Sequence, residues 1–476
     1  MYSSEFNPRI FAAIALCVFG AAYLVVARPG YLTSVEYLGG LLLLEILAVI
    51  IWNYRLTFFP VLILTFLFAG TAVPMQAMWT SARWLVLGAG VLAGVFIYLR
   101  DQPHSFGFFH LIALFCAVAA ATSALVSPYP KHALLKALSL FLLFTYGAFG
   151  SRLAIQGREE RFFSRLLFAL EALIYFVVVE YFIFHSQFFG NPNSLGAATG
   201  VAIVPLMLWG VLVSESSFVR GRRTFALLLA LVLLLTSHAR AGITAATVSC
   251  IFMCLLLGRY RMLIKSLAIS LLIAVVIASV EPPPATGMRP SLTSNFLFKG
   301  KTQAGVLGSR RSVWDRTISS IEEHPLLGGG FGTAGTEYNP IADNVGNFSS
   351  NIVTTHEHGS SYLAIVEGVG LIGAVPFLCL LVVIVINLAR VFKWLWYSKD
   401  PFSPALPIAA ILLAGLIHAM FEDWLFAVGY YLCIFFWSLA FMLPDFIPSR
   451  AVTSGDQPFL PIHISATEAT FAPRSQ

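Results

Sequence analysis

Charge is scarce in this chain. Of its 476 residues 11% are charged and 58% hydrophobic, and the mean hydropathy of +0.83 lies far outside the range of a soluble globular domain. A soluble fold is thereby excluded. Cysteine is sparse as well: Cys17, Cys116, Cys250, Cys254, Cys379 and Cys433 all fall in apolar segments, where a thiol acts as a small hydrophobe. That placement excludes a disulfide framework and a cysteine metal site. The chain has no Walker A loop, no GxSxG elbow, no HExxH pair and no nucleotide-sugar fingerprint, which removes the sequence basis for ATP-driven transport, esterase or zinc-protease chemistry. No internal repeat stands out either, in contrast to transporters built from inverted repeats. The N-terminal MYSSEFNPR precedes an apolar run without a small-residue cleavage site, so it is expected to open a first transmembrane helix. A net charge of +6, spread over short loops, gives no reason to expect a nucleic-acid partner.

What the chain has in abundance is hydrophobic stretches of membrane-spanning length. Such stretches must be helical, because a bilayer offers backbone groups no other partners. About fourteen spans are expected by the ~20-residue rule: 10–27, 35–52, 57–74, 84–99, 106–126, 133–155, 163–185, 195–213, 223–237, 241–257, 262–280, 361–389, 405–420 and 424–443. The fold class is therefore all-α, a polytopic transmembrane helix bundle of about 12–14 spans with one large, partly helical loop. Its expected divisions are 1–187, N-terminal helices; 188–280, helices with short outer motifs; 281–360, the large loop; 361–443, C-terminal helices; and 444–476, a disordered tail.

Basic residues set the orientation. Arg152, Arg158, Arg161 and Arg165, then Arg220, Arg222 and Arg223, then Arg259, Arg261 and Lys265, then Arg390, Lys393 and Lys399 occupy every second loop, which places those loops in the cytoplasm. The stretches around 190–196, 237–242, 281–360 and 421–424 then face outward. Within the long loop, 308–332 reads as a helix with Ser309 as N-cap, Trp314, Ile318 and Ile321 on one face, and Pro325 and the glycines as its stop. Such a helix is suited to lie on the membrane surface with its tryptophan at headgroup level.

The outward face gathers Arg240, Arg310, Arg311, His324, His356, Glu357, His358, Glu367, Glu422 and Asp423. Arg240 can snorkel to the interface or bind an anionic headgroup such as a diphosphate. Of Arg310 and Arg311, one suffices for function and the other for solvation; Arg310 shares a face with Trp314 and is favoured. His356, Glu357 and His358 are suited to general-base work near neutral pH, and successive residues of this kind rarely converge on one metal ion. Glu422 and Asp423 fit a catalytic pair or an interfacial cap, and GNPNSLG at 190–196 explains itself as a turn.

Four stretches taken together resemble the bacterial O-antigen ligase and O-antigen polymerase superfamily: GNPNSLG at 190, LLLTSHARAG at 233, GSRRSVWDRTISSIEEHPLLGGGFG at 308 and HEHGSSYLAIVEGVGLIG at 356. They cover roughly residues 188–385, and the last two are the specific ones. The resemblance implies a multi-pass glycosyltransferase of the bacterial inner membrane with its active site facing the periplasm. Its donor would be an undecaprenyl diphosphate-linked glycan and its acceptor a second glycan or the lipid A core, beside other polysaccharide assembly proteins. It implies no metal and no cofactor. Ser309, Arg310 and Trp314 match the family's Ser-Arg…Trp pattern, and Arg240 matches the arginine after LLLTS. On this basis His358, or His356 in its place, and Arg310 are the catalytic candidates, and Asn193, Arg240, Arg311, Glu357 and Tyr362 the substrate-binding ones. A flippase for lipid-linked glycans and a non-catalytic component of an assembly complex remain as alternatives.

Overall fold

The computed structural model describes residues 53–73, 76–101, 106–264, 308–334, 336–338, 352–354 and 357–447. Within them the chain forms a helix bundle. Its helices are α1 (Tyr54–Ala69), α2 (Gln76–Asp101), α3 (Phe108–Ser123), α4 (Pro130–Tyr146, running on through a π turn to Ile155), α5 (Glu159–Phe182), α6 (Pro192–Leu212, with a π turn at Ala198–Ile203), α7 (Ser217–Thr236), α8 (Arg240–Leu256), α9 (Gly308–Glu323), α10 (Ser361–Ser398), α11 (Ala405–His418) and α12 (Tyr431–Met442). Five of them, Met78–Asp101 of α2, Pro130–Ile155, α5, α6 and α10, are long and apolar enough to cross a membrane. Each expected span that falls within the described residues contains a helix. The spans at 10–27 and 35–52, nearly all of 262–280, and the tail from 448 lie outside them.

Hydrophobicity on all sides marks the centre of the bundle. Every residue of α12 is buried, and α11 is buried on nearly every face. Because α12 has only 12 residues, the expected span 424–443 is corrected: its first part, 424–430, is not helical. Non-helical backbone is tolerated at this depth only where protein supplies its hydrogen bonds, and here it does. Ser361 Oγ accepts from Leu425 N (3.0 Å), while Trp437 Nε1 (2.6 Å) and Arg83 Nη1 (2.8 Å) donate to the carbonyls of Leu425 and Gly429.

A second departure from regular helix positions the site. Helix α10 is broken at Gly370, whose φ of 69° and ψ of 177° are open to glycine almost alone. The main-chain groups freed by the break bond to the Pro325–Gly330 stretch: Gly329 N to Glu367 O (2.9 Å), Gly330 N to Gly368 O (2.9 Å), Leu371 N to Pro325 O (2.8 Å) and Ile372 N to Leu326 O (3.2 Å). So the glycines after α9 do more than end a helix. They insert beside α10, and Phe331 N donates to Ser123 Oγ of α3 (2.9 Å). Further out, Thr336–Tyr338 and Ile352–Thr354 pair antiparallel with Thr336 opposite Thr354, a short ladder that the sequence reading did not anticipate.

Helix α9 starts at Gly308, which puts Ser309 inside it and not at its cap. Its packed face is also not the expected one. Thr317 is fully buried and bonds to the His358 carbonyl (3.3 Å), Trp314 Nε1 donates to the Gly359 carbonyl (3.0 Å), and Ile318 is exposed. The tryptophan thus holds α9 to the start of α10.

At the opposite end of the bundle, Arg152, expected among the basic residues of a loop, is buried within a helix. It forms a two-pronged pair with Asp445 at 2.8 and 2.7 Å. Glu171, also buried, is paired with Arg222 (2.7 Å) and Arg223 (3.4 Å).

Candidate functional site

Two of the weaker sequence motifs meet at one end of the bundle. Asn191 caps α6 by accepting from Ser194 N (2.7 Å), and Pro192 follows at the first helical position. GNPNSLG is therefore a helix start, and its last glycine lets α8 approach. A Cβ on Gly196 would lie 2.0 Å from Ala239 Cβ, and one on Gly200 2.3 Å from the Gly242 carbonyl. Small residues four apart allow such close crossings. The contact places SHARAG beside GNPNSLG, with Arg240 as the first residue of α8.

Above this crossing lies an open cleft of about 1010 Å³, lined among others by Tyr181, Asn193, Thr236, His238, Glu357, His418, Glu422, Asp423, Trp424 and Tyr430. That is the size of a site for a sizeable ligand.

Two consecutive pairs of residues, Glu357–His358 and Glu422–Asp423, interlock at its wall. Arg310 Nη1 donates to Glu357 Oε1 (2.8 Å), and Nη2 donates to Glu422 Oε1, so one guanidinium from α9 is held between two carboxylates. Next to it His358 is held in the same way. Its Nδ1 lies 2.9 Å from Asp423 Oδ2 and its Nε2 3.0 Å from Glu367 Oε2. Burial works against charge on this imidazole, yet the hydrogen bonds to Asp423 and Glu367, and their charges, outweigh it and push the pKa up to about 10. Asp423 shifts the other way. Burial opposes its charge, and the hydrogen bond and charge of His358 overcome that and hold its carboxyl below the ordinary value. Both ring nitrogens thus face a carboxylate, an arrangement that favours the charged imidazolium.

Arg240 lies close enough to Arg310 for the two positive charges to oppose one another. Asn193 is exposed in the first turn of α6 and faces the cleft. Glu357 lines the cleft with its side chain half exposed. Arg311, by contrast, is exposed and joins no ion pair among the described residues. Tyr362 is turned to packing, since its hydroxyl donates to the Leu416 carbonyl of α11 (2.7 Å). His356 lies outside the described residues. The two ring nitrogens of His358, the histidine expected as a base, both face carboxylates, Asp423 at Nδ1 and Glu367 at Nε2.

Glu422, Asp423 and Glu367, grouped on the outward face by the sequence without an assigned role, meet at this wall, and His418, which sequence reasoning missed, lines the cleft. For Glu422 and Asp423 a signal existed, two acids at the edge of an apolar segment. Glu367 offered a weaker one, an acid inside a span. His418 is buried and accepts from Trp424 Nε1 (2.8 Å), and nothing in the sequence tied it to Trp424.

No curated protein matches the chain. Residues 225–378, which carry Arg240, Arg310, His358 and Glu367, match the protein family described as O-antigen ligase. That segment is similar to the O-antigen ligase family, and five helices of the chain are long and apolar enough to cross a membrane.

Proposed function

We propose that this chain is a glycosyltransferase of the bacterial inner membrane. It moves a glycan from an undecaprenyl diphosphate carrier to a hydroxyl of a second glycan or of a lipid A core, at a cleft facing the periplasm. The observation that carries this reading is Arg310, a cation fixed at the cleft wall between Glu357 and Glu422 with Arg240 beside it. Orientation is supported by the basic ends of α5, α7, α8 and α10, which all lie opposite the cleft.

In the proposed reaction the acceptor hydroxyl oxygen bonds to the anomeric carbon of the donor sugar as the bond from that carbon to the phosphate oxygen breaks. The leaving diphosphate gains negative charge, and Arg310 and Arg240 stabilise it by paired, charge-assisted hydrogen bonds. A diphosphate that takes Arg310 releases Glu422, and the freed carboxylate accepts the proton from the acceptor hydroxyl. His358 holds Asp423 and Glu367 and so fixes the wall on which Glu422 stands.

The test is transfer by the purified protein in lipid, with a glycan on undecaprenyl diphosphate as donor. Arg310→Ala is expected to lower the rate by roughly 100-fold or more, the usual loss on removing one donor to a developing anion, with thermal stability retained. Transfer at the native rate by a folded Arg310→Ala protein refutes the assignment.

A further inference from the structure

Several charged side chains in the helices are matched by an opposite charge: Glu171 by Arg222 and Arg223, Arg152 by Asp445, Arg55 by Asp101, Glu367 by His358. Arg83 of α2 and Lys136 of α4 are different. Among the described residues neither has a carboxylate within ion-pair distance. They stand at similar depth on helices α2 and α4, which pack against each other, and the charge of Arg83 acts on Lys136. Two adjacent cations without a counter-charge at membrane depth are costly and call for an anion.

Their surroundings leave hydrogen-bonding capacity for one. Arg83 Nη1 donates to the Gly429 carbonyl (2.8 Å), the guanidinium carbon lies 4.9 Å from the Trp84 ring centroid, and Nε has no hydrogen-bond partner. Lys136 is exposed, its ammonium makes no hydrogen bond among the described residues, and its stem rests on Gly332, where a Cβ would come within 3.2 Å of Lys136 Cγ. Both cations thus lie against glycines, so no side chain from those positions covers them.

Depth and neighbourhood identify the anion's carrier. Counted from the cleft-side ends of α2 and α4, Arg83 and Lys136 lie about 10 Å down at 1.5 Å per residue, the level where headgroups meet hydrocarbon. Lys136 emerges among Leu134, Leu135 and Leu138, each about half exposed. An anion arriving there comes on a lipid.

We infer that Arg83 and Lys136 form a second anion site, which holds the phosphate or diphosphate headgroup of a lipid in the same leaflet as the cleft. Gly429 sits on the 424–430 segment, whose Trp424, Ala427 and Tyr430 line the cleft. The second site therefore backs onto the same segment, and a headgroup bound there has only that stretch of chain between it and the cleft. The arrangement suits a reaction in which two lipid-borne molecules meet. The binding site itself does not depend on the transfer reading.

The test uses the full chain in phosphatidylcholine nanodiscs, with bound lipid counted by native mass spectrometry. Undecaprenyl phosphate, undecaprenyl diphosphate, phosphatidylglycerol and inorganic diphosphate are titrated separately. Lys136→Gln has no hydrogen bond to lose in the folded protein and is expected to weaken the affected probe about tenfold or more, as loss of one charge-assisted contact does. Arg83→Gln is expected to act on the same probe, and Arg310→Ala to leave that binding event in place. Selective loss of the lipid probes supports a headgroup site and names its lipid. Loss confined to inorganic diphosphate, or no change for any probe with folded Lys136→Gln protein, overturns the inference.

Discussion

Replacing Gly370 with alanine tests whether the break in α10 is required. The backbone there has φ 69° and ψ 177°, a region that costs a residue with a side chain about 1–3 kcal/mol. Space is also lacking. A Cβ at 370 would lie 2.3 Å from both the carbonyl carbon and oxygen of Leu326 and 2.4 Å from Leu327 N, all of them main chain that cannot swing aside like a side chain. Relief requires the 325–330 stretch to withdraw, which endangers its four main-chain hydrogen bonds to 367–372. Losing two of these at about 1 kcal/mol each brings the expected cost to about 4 kcal/mol. Gly88→Ala is the control, because nothing lies within 4 Å of its Cβ and the residue is helical; it is expected to be neutral or mildly stabilising. Both variants would be unfolded by SDS titration in mixed micelles and followed by tryptophan fluorescence. A Gly370→Ala protein destabilised by less than about 1 kcal/mol, below even the conformational cost alone, would refute the reasoning.

His358 and Arg152 supply two further tests. The His358 pKa is raised from its ordinary 6.5 to about 10, so its pairing contributes stability in full below pH 6.5 and loses it as pH rises through 10. The thermal midpoint of the native protein over that of His358→Gln is expected to shrink across that window, and a constant difference between pH 6 and 10 speaks against an imidazolium. At the other end of the bundle, Arg152→Ala leaves Asp445 without its cation and is expected to cost about 3 kcal/mol. The double variant Arg152→Ala/Asp445→Ala is expected to recover part of that loss in the same unfolding measurement, whereas equal stability of the single variant and the native protein rules out a structural pair.

The spans were legible because apolar length alone compels a helix in a bilayer. The 424–430 stretch misled for the same reason: it is apolar, but its backbone is satisfied by tertiary partners such as Ser361 and Arg83, which composition does not reveal. Arg310 was legible from its place one turn before Trp314 and from the family pattern. The state of His358 was not, because it depends on Asp423 and Glu367, 65 and 9 residues away in the chain. Nothing in the sequence sets Gly370 apart from Gly368 and Gly373 beside it. Its real part, a break matched to the glycines after Pro325, needs both strands of that pairing in view.

The main-chain pairing of 325–330 with 367–372 has a consequence for how this protein can change length. It pins both ends of the outer excursion of the chain, and the Thr336–Thr354 ladder clamps that excursion a second time further out. Residues added between 338 and 352 would join two points that are already fixed, and doubling the length of a flexible connection costs only about 0.6 kcal/mol. Length can therefore change there while the wall that carries Arg310, His358 and Glu422 stays in register.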